Sequence, residues 1–214
     1  MLKYISNELN IRKTSSILDY GSGNVASVAN MLSLFTEIVI SNEKSDIENS
    51  SHLVLPGVGS FGASMDKIKA KIPILELREQ IFVNKKPFLG ICVGMQVMFQ
   101  KGFEPNEEIG LGFLHGSVSK VESSETLPHV GWNNLTDLTN NPILFDLTEN
   151  SDFYFVHSNC AKDVKINEVI ARTEYGEKFP SIIQVENTNA YGVQFHPEKS
   201  QHSGKKLFSN FLSL

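Results

Sequence analysis

Cys92 stands in the run Leu89-Gly90-Ile91-Cys92-Val93-Gly94-Met95-Gln96, where apolar residues lead into a cysteine with a glycine two positions to either side. A strand passing through such a turn into a helix has the form of a nucleophile elbow. Small neighbours let the chain turn sharply, the side chain stands above the sheet, and the following backbone N–H becomes an oxyanion donor. Cysteine suits this place because unpaired N–H groups at a helix start favour the thiolate. The plain alternative is a buried structural cysteine flanked by packing glycines, so a partner base decides the matter. His196 lies in Tyr191-Gly192-Val193-Gln194-Phe195-His196-Pro197-Glu198, at the end of an apolar-alternating run, with a carboxylate two residues on. A strand end followed by a rigid proline holds an imidazole at the sheet edge while Glu198 turns back to its other nitrogen. Together, Cys92, His196 and Glu198 have the logic of a triad: the thiolate attacks, the imidazole shuttles the proton, and the carboxylate fixes the tautomer and supports the imidazolium.

A second glycine turn competes. Gly21-Ser22-Gly23-Asn24-Val25-Ala26 matches the G-x-G-x-x-A dinucleotide fingerprint, and Glu43 lies at about the distance of a ribose-binding acid. Against an oxidoreductase stand Asp19 and Tyr20, which occupy the place where a small apolar strand end is usual.

The elements that must position these residues follow from periodicity. Ile17 and Leu18 make a short strand, Asn24 caps a helix carrying Val25, Val28, Ala29, Leu32 and Phe35, and Glu37 to Ile40 and His52 to Leu55 are further strands. Ile74 to Asn84 is an amphipathic helix, Phe88 to Ile91 a buried strand, and the pattern after Cys92 predicts a helix through Val97, Met98 and Phe99. Strands alternating with helices argue for a parallel sheet covered by helices. From Ser117 onward the pattern is strand-like, over Ser117 to Val121, His129 to Leu135, Asp152 to Val156, Val169 to Thr173, Ser181 to Val185 and Ala190 to Phe195. Helical spacing returns only at Leu207, Phe208, Phe211 and Leu212. The expectation is an N-terminal extension over residues 1–15 and one α/β domain over residues 16–214 with a β-rich second half.

Composition sets bounds. The 214 residues are 41% hydrophobic and 20% charged, enough for one substantial core. Nineteen Lys+Arg against twenty-four Asp+Glu give a net charge of −5, and no basic cluster marks a nucleic-acid footprint. Pro87 to Phe99, the most apolar stretch, falls short of the roughly 20 residues of a membrane span. Two cysteines make no disulfide framework and no secretion signal is visible, so the expected setting is cytoplasmic, without membrane or nucleic-acid partners.

Pro87 to Gln96 together with Gly192 to Glu198 resembles the class I, triad-type glutamine amidotransferases. Asp19 to Asn24, Leu55-Pro56-Gly57-Val58-Gly59-Ser60-Phe61, Pro128-His129-Val130-Gly131-Trp132-Asn133 and Tyr154-Phe155-Val156-His157-Ser158 are similar to the branch that serves as glutaminase subunits of imidazole glycerol phosphate synthases. The resemblance implies a flavodoxin-like, mostly parallel central sheet flanked by helices, and glutamine hydrolysis by Cys92, His196 and Glu198 without metal or cofactor. It implies an oxyanion hole from Val58, Gly59 and Val93, and glutamine held by Gln96, Ser158 and Asn159. Asn24, Trp132, Tyr154 and Lys199 would face a (β/α)₈-barrel cyclase subunit in a heterodimer that receives ammonia through its interior. The same chemistry could instead supply a surface-polysaccharide sugar amidotransferase. Asn159-Cys160 departs from the tyrosine usual after His-Ser, the segment Cys160 to Glu168 is idiosyncratic, and Cys160 reads as structural.

Overall fold

The computed structural model describes residues 13–21 and 23–214. In chain order the elements are β1 (Thr14–Ile17), α1 (Val25–Leu32), β2 (Glu37–Ile40), α2 (Lys44–Asn49), β3 (His52–Gly57), α3 (Phe61–Lys71), α4 (Ile74–Phe82), β4 (Phe88–Cys92) and α5 (Val93–Gln96). They continue as β5 (Phe99–Phe103), β6 (Glu107–Ile109), β7 (Leu114–Lys120), β8 (His129–Asn134), β9 (Asp152–His157), β10 (Asn159–Lys162), β11 (Val169–Tyr175), β12 (Glu177–Gln184), β13 (Ala190–Val193) and α6 (Gln201–Phe211).

The main sheet has the order β11-β12-β13-β4-β3-β1-β2. The run β13-β4-β3-β1-β2 is parallel throughout, and β12 and β11 extend it antiparallel. This is the flavodoxin-like arrangement, in which ligands gather beyond the carboxyl ends of the strands. Strands β3 and β4 are buried along their whole length, as parallel strands covered on both faces must be. Most of the expected extension, residues 1–12, lies outside the described residues. Strand β1 begins at Thr14, ahead of the apolar pair that marks it, because the fully buried Ser15 and Ser16 continue its ladders to β2 and β3.

The β-rich second half divides. A four-stranded sheet, β10-β7-β5-β6, and the hairpin-like pair β8-β9 stand apart from the main sheet, whereas β11 to β13 return to it. The idiosyncratic stretch after Asn159 forms β10, which pairs antiparallel with β7. The helix expected to run through Phe99 is the single turn α5, and Phe99 already begins β5. Every residue from Phe88 to Phe99 is buried, and a wholly buried run carries neither the helical nor the strand period.

Candidate active site

Three adjacent parallel strands, β3, β4 and β13, end at one place and deliver Val58, Cys92 and His196 there. Cys92 itself takes the strained backbone of the elbow, with φ 54° and ψ −110°, a conformation that costs on the order of 1–3 kcal/mol and clusters at active sites. Its glycine neighbours serve a different need. A Cβ on Gly94 would lie 1.9 Å from the Leu55 carbonyl oxygen, and one on Gly90 would lie 2.6 Å from that of Gly94. The flanking glycines are demanded by space, while the nucleophile carries the turn.

His196 is clamped through its backbone: its N–H donates to the Tyr154 carbonyl at 2.9 Å, and the Ser200 hydroxyl donates to its carbonyl at 2.6 Å. Glu198 sits in the one-turn 3₁₀ segment Pro197–Lys199, against which α6 closes through Gly204, where a Cβ would meet the Pro197 carbonyl oxygen at 1.9 Å. His196 Nδ1 lies 2.7 Å from Glu198 Oε1. An ionised carboxylate only accepts, so Nδ1 carries the proton. Nε2 is buried and has no hydrogen-bond partner among the described residues, which leaves it for proton traffic with the sulfur and a substrate. Burial disfavours charge on this ring, but Cys92 and Glu198 outweigh it and raise its pKa to about 10.

Asn24, expected at the partner face, reaches the triad in this structure. Its side chain is buried, and Nδ2 donates a short hydrogen bond to Glu198 Oε1, the oxygen that also receives His196. Asn24, at the start of α1, thus brings an amide to the triad carboxylate, and Glu43, the acid of the dinucleotide reading, stands at the start of α2.

In front of Cys92 opens a cleft of about 470 Å³, lined by Val58, Gly59, Val93, Gln96, Ser158, Asn159, His196 and Lys199 among others. Gly59 has φ 101°, a conformation open to glycine at little cost. Gln96 is already committed on one side: Nε2 donates to the Asn159 carbonyl at 3.0 Å and to Gln194 Oε1 at 3.1 Å, which leaves its oxygen for a ligand. The Asn159 carbonyl also faces His157 Nδ1 at 2.8 Å, so that carbonyl is occupied from within the fold.

Glu104 lines the same cleft, and no sequence signal marked it, since an isolated glutamate before a proline fits any surface turn. Its carboxylate accepts the Phe61 N–H at the start of α3 at 3.3 Å, which fixes a negative charge where an α-ammonium group could be received.

Beside the cleft, Trp132 and Tyr154 are cross-strand partners on β8 and β9, with ring centroids 5.9 Å apart. Lys199 Nζ stands 5.8 Å from the Tyr154 ring. Trp132 is 48% exposed, so this trio forms a surface. Cys160 is buried, and burial pushes its thiol up to about 12, which keeps it protonated and unreactive.

Residues 16–214 match the family model described as glutamine amidotransferase class-I. The chain is 41% identical to imidazole glycerol phosphate synthase subunit HisH 1 of Methanococcus maripaludis, over 93% of this chain and 98% of that protein. It is 44% identical to subunit HisH of Lactococcus lactis, over 92% and 96%. A solved structure titled PurLQS from Thermotoga maritima shares the fold at a TM-score of 0.74 and 20% identity, over 95% of this chain and 99% of that one. With an elbow cysteine at the carboxyl end of the central strand β4 and a family match over nearly its whole length, the chain belongs to the class-I glutamine amidotransferases.

Proposed function

We propose that this chain is the glutaminase subunit of an imidazole glycerol phosphate synthase, supplying ammonia for histidine biosynthesis. Two lines support the reading: convergence of Cys92, His196 and Glu198 at the ends of β4 and β13, and about 40% identity to HisH subunits over almost their full length.

Glutamine enters the cleft with its α-ammonium toward Glu104 and the Gln96 oxygen and its carboxylate toward Ser158. The Cys92 thiolate attacks the side-chain amide carbon. Backbone N–H groups of Val58 or Gly59 and of Val93 stabilise the oxyanion, a contribution of about 3 kcal/mol per donor. His196 passes its Nε2 proton to the departing nitrogen, ammonia leaves, and a γ-glutamyl thioester stays on Cys92. The neutral imidazole then takes a proton from water, whose hydroxide opens the thioester to glutamate and restores the thiolate.

Ammonia reacts as the neutral base and is lost by protonation in bulk water, so enclosed transfer serves the chemistry. The surface beside the cleft formed by exposed Trp132 and Lys199 and half-buried Tyr154 suits a (β/α)₈-barrel cyclase subunit. Tyr154 ties that surface to the triad, because its carbonyl holds the His196 N–H and its own N–H is held by Ser200. Two unpaired cysteines fit a cytoplasmic setting, and among the described residues no helix is long and apolar enough to cross a membrane.

Reconstitution tests the reading. With a cyclase subunit, glutamine and its ribonucleotide substrate, glutamate and imidazole glycerol phosphate should form in equal amounts. Failure to bind or stimulate any cyclase, with stimulation by a sugar-modifying amidotransferase instead, would move the chain to the other acceptor.

A further inference from the structure

Gln194 lies between β13 and His196 and is fully buried, and its neighbours dictate which end of its amide points where. The Asn159 carbonyl only accepts. His157 Nδ1 faces it at 2.8 Å and therefore carries the ring proton. His157 Nε2 is then a lone pair, and His129 Nδ1, 3.1 Å away, donates to it. Gln96 Nε2 donates to the same Asn159 carbonyl at 3.0 Å and spends its other hydrogen on Gln194 Oε1 at 3.1 Å. With Oε1 so engaged, the NH₂ end of Gln194 is the end that stands 3.8 Å from Cys92 Sγ.

We propose that Gln194 is a further catalytic residue, whose side-chain N–H donates to the Cys92 thiolate and whose orientation is imposed through Gln96 by the carbonyl of Asn159. The inference rests on Cys92 being the nucleophile. It gives the sulfur a neutral donor besides His196, one that stays in place after the imidazolium has delivered its proton to ammonia. When water opens the thioester, the reforming thiolate meets a donor already aimed at it, without reorganisation. The donor also belongs to the network that holds the wall of the cleft at Asn159, so nucleophile and substrate wall share one set of amide orientations.

The test is alkylation of the full chain by iodoacetamide as a function of pH, with the labelled cysteine identified by mass spectrometry. The titratable groups that face the sulfur or line its cleft are His196, backed by Glu198, together with His157, Glu104 and Lys199, and all are retained in the variants. Gln194→Met removes the donor with little change of volume. It should slow labelling of Cys92 near neutral pH by about tenfold, as expected for one hydrogen bond to a charged group, and the rates should converge with wild type at high pH, where the thiolate forms unaided. Gln194→Glu, equal in shape but an acceptor, should slow it further at neutral pH. The buried Cys160 reports folding: it must stay unlabelled, and if the Met variant exposes it, the Glu variant decides. A wild-type rate at every pH, or a slowing equal at all pH values, as a purely structural role would give, overturns the proposal. Failure of the underlying reading is distinguishable, since wild-type chain would then form no glutamine-derived adduct on Cys92.

Discussion

Asn24 and His196 meet on a single oxygen of Glu198, so the triad carboxylate is held from the start of α1 as well as from the segment after β13 that bears the base. Two donors on one acceptor fix the carboxylate's rotation, and through it the plane of the imidazole. Asn24→Leu should therefore lower kcat for glutamine hydrolysis by about tenfold to a hundredfold, the size of a lost hydrogen bond to a charged group, with KM nearly unchanged. Steady-state kinetics in the presence of the partner subunit checks this. A rise in KM alone would place Asn24 at the substrate instead.

Glu198 also sets the pH range of the enzyme. Burial alone would lower the proton affinity of His196, and Cys92 and Glu198 reverse this, to about 10. The proton that ammonia requires is present below that value and lost as pH rises through it. Glu198→Gln removes one of the two groups that hold it, so the alkaline limb of the rate profile should move to lower pH. An unmoved alkaline limb would show that the carboxylate does not govern the ring.

Glu104 places a fixed negative charge in the cleft, tethered to the N-terminus of α3. If it receives the α-ammonium of glutamine, Glu104→Gln should raise KM by roughly tenfold or more, within the range for a shielded charge pair, and change kcat less. Glutamine titrations monitored by glutamate release measure both.

The elbow leaves no room at Gly94, where a side chain would begin 1.9 Å from the Leu55 carbonyl oxygen. Gly94→Ala must push α5 away from β3, with a cost of the order of 1–3 kcal/mol or more, as for overpacked cores. Thermal melting should show a lower Tm, and activity should fall with it because Cys92 and the oxyanion donors shift together.

The fold and the triad were legible because their signals are local. Glycines around Cys92 and a proline after His196 are short-range constraints, and β-branched runs bounded by turns mark most strands of the sheet. What escaped depends on distant contacts. Helix α3 hides its stripe of Phe61, Met65 and Ile68 among small and charged residues, and α5 lies in a run that is buried on every side. Asn24 reads as a helix cap, and only the packing of α1 against the Pro197–Lys199 turn brings its amide to Glu198. Glu104 reaches the cleft because its carboxylate caps α3, a contact 43 residues apart in sequence. Gln194 sat inside the motif that pointed to His196, yet its role depends on Gln96, which is 98 residues away.

The covalent intermediate gives the most direct test. The chain, bound to its partner subunit and turning over radiolabelled glutamine, is quenched in acid and digested, and the peptides are analysed for label. The triad reading requires a glutamyl group on the peptide that contains Cys92, absent from Cys92→Ala, which should also release no glutamate above background. Glutamate release at an undiminished rate by Cys92→Ala, or label on a different peptide, would contradict it.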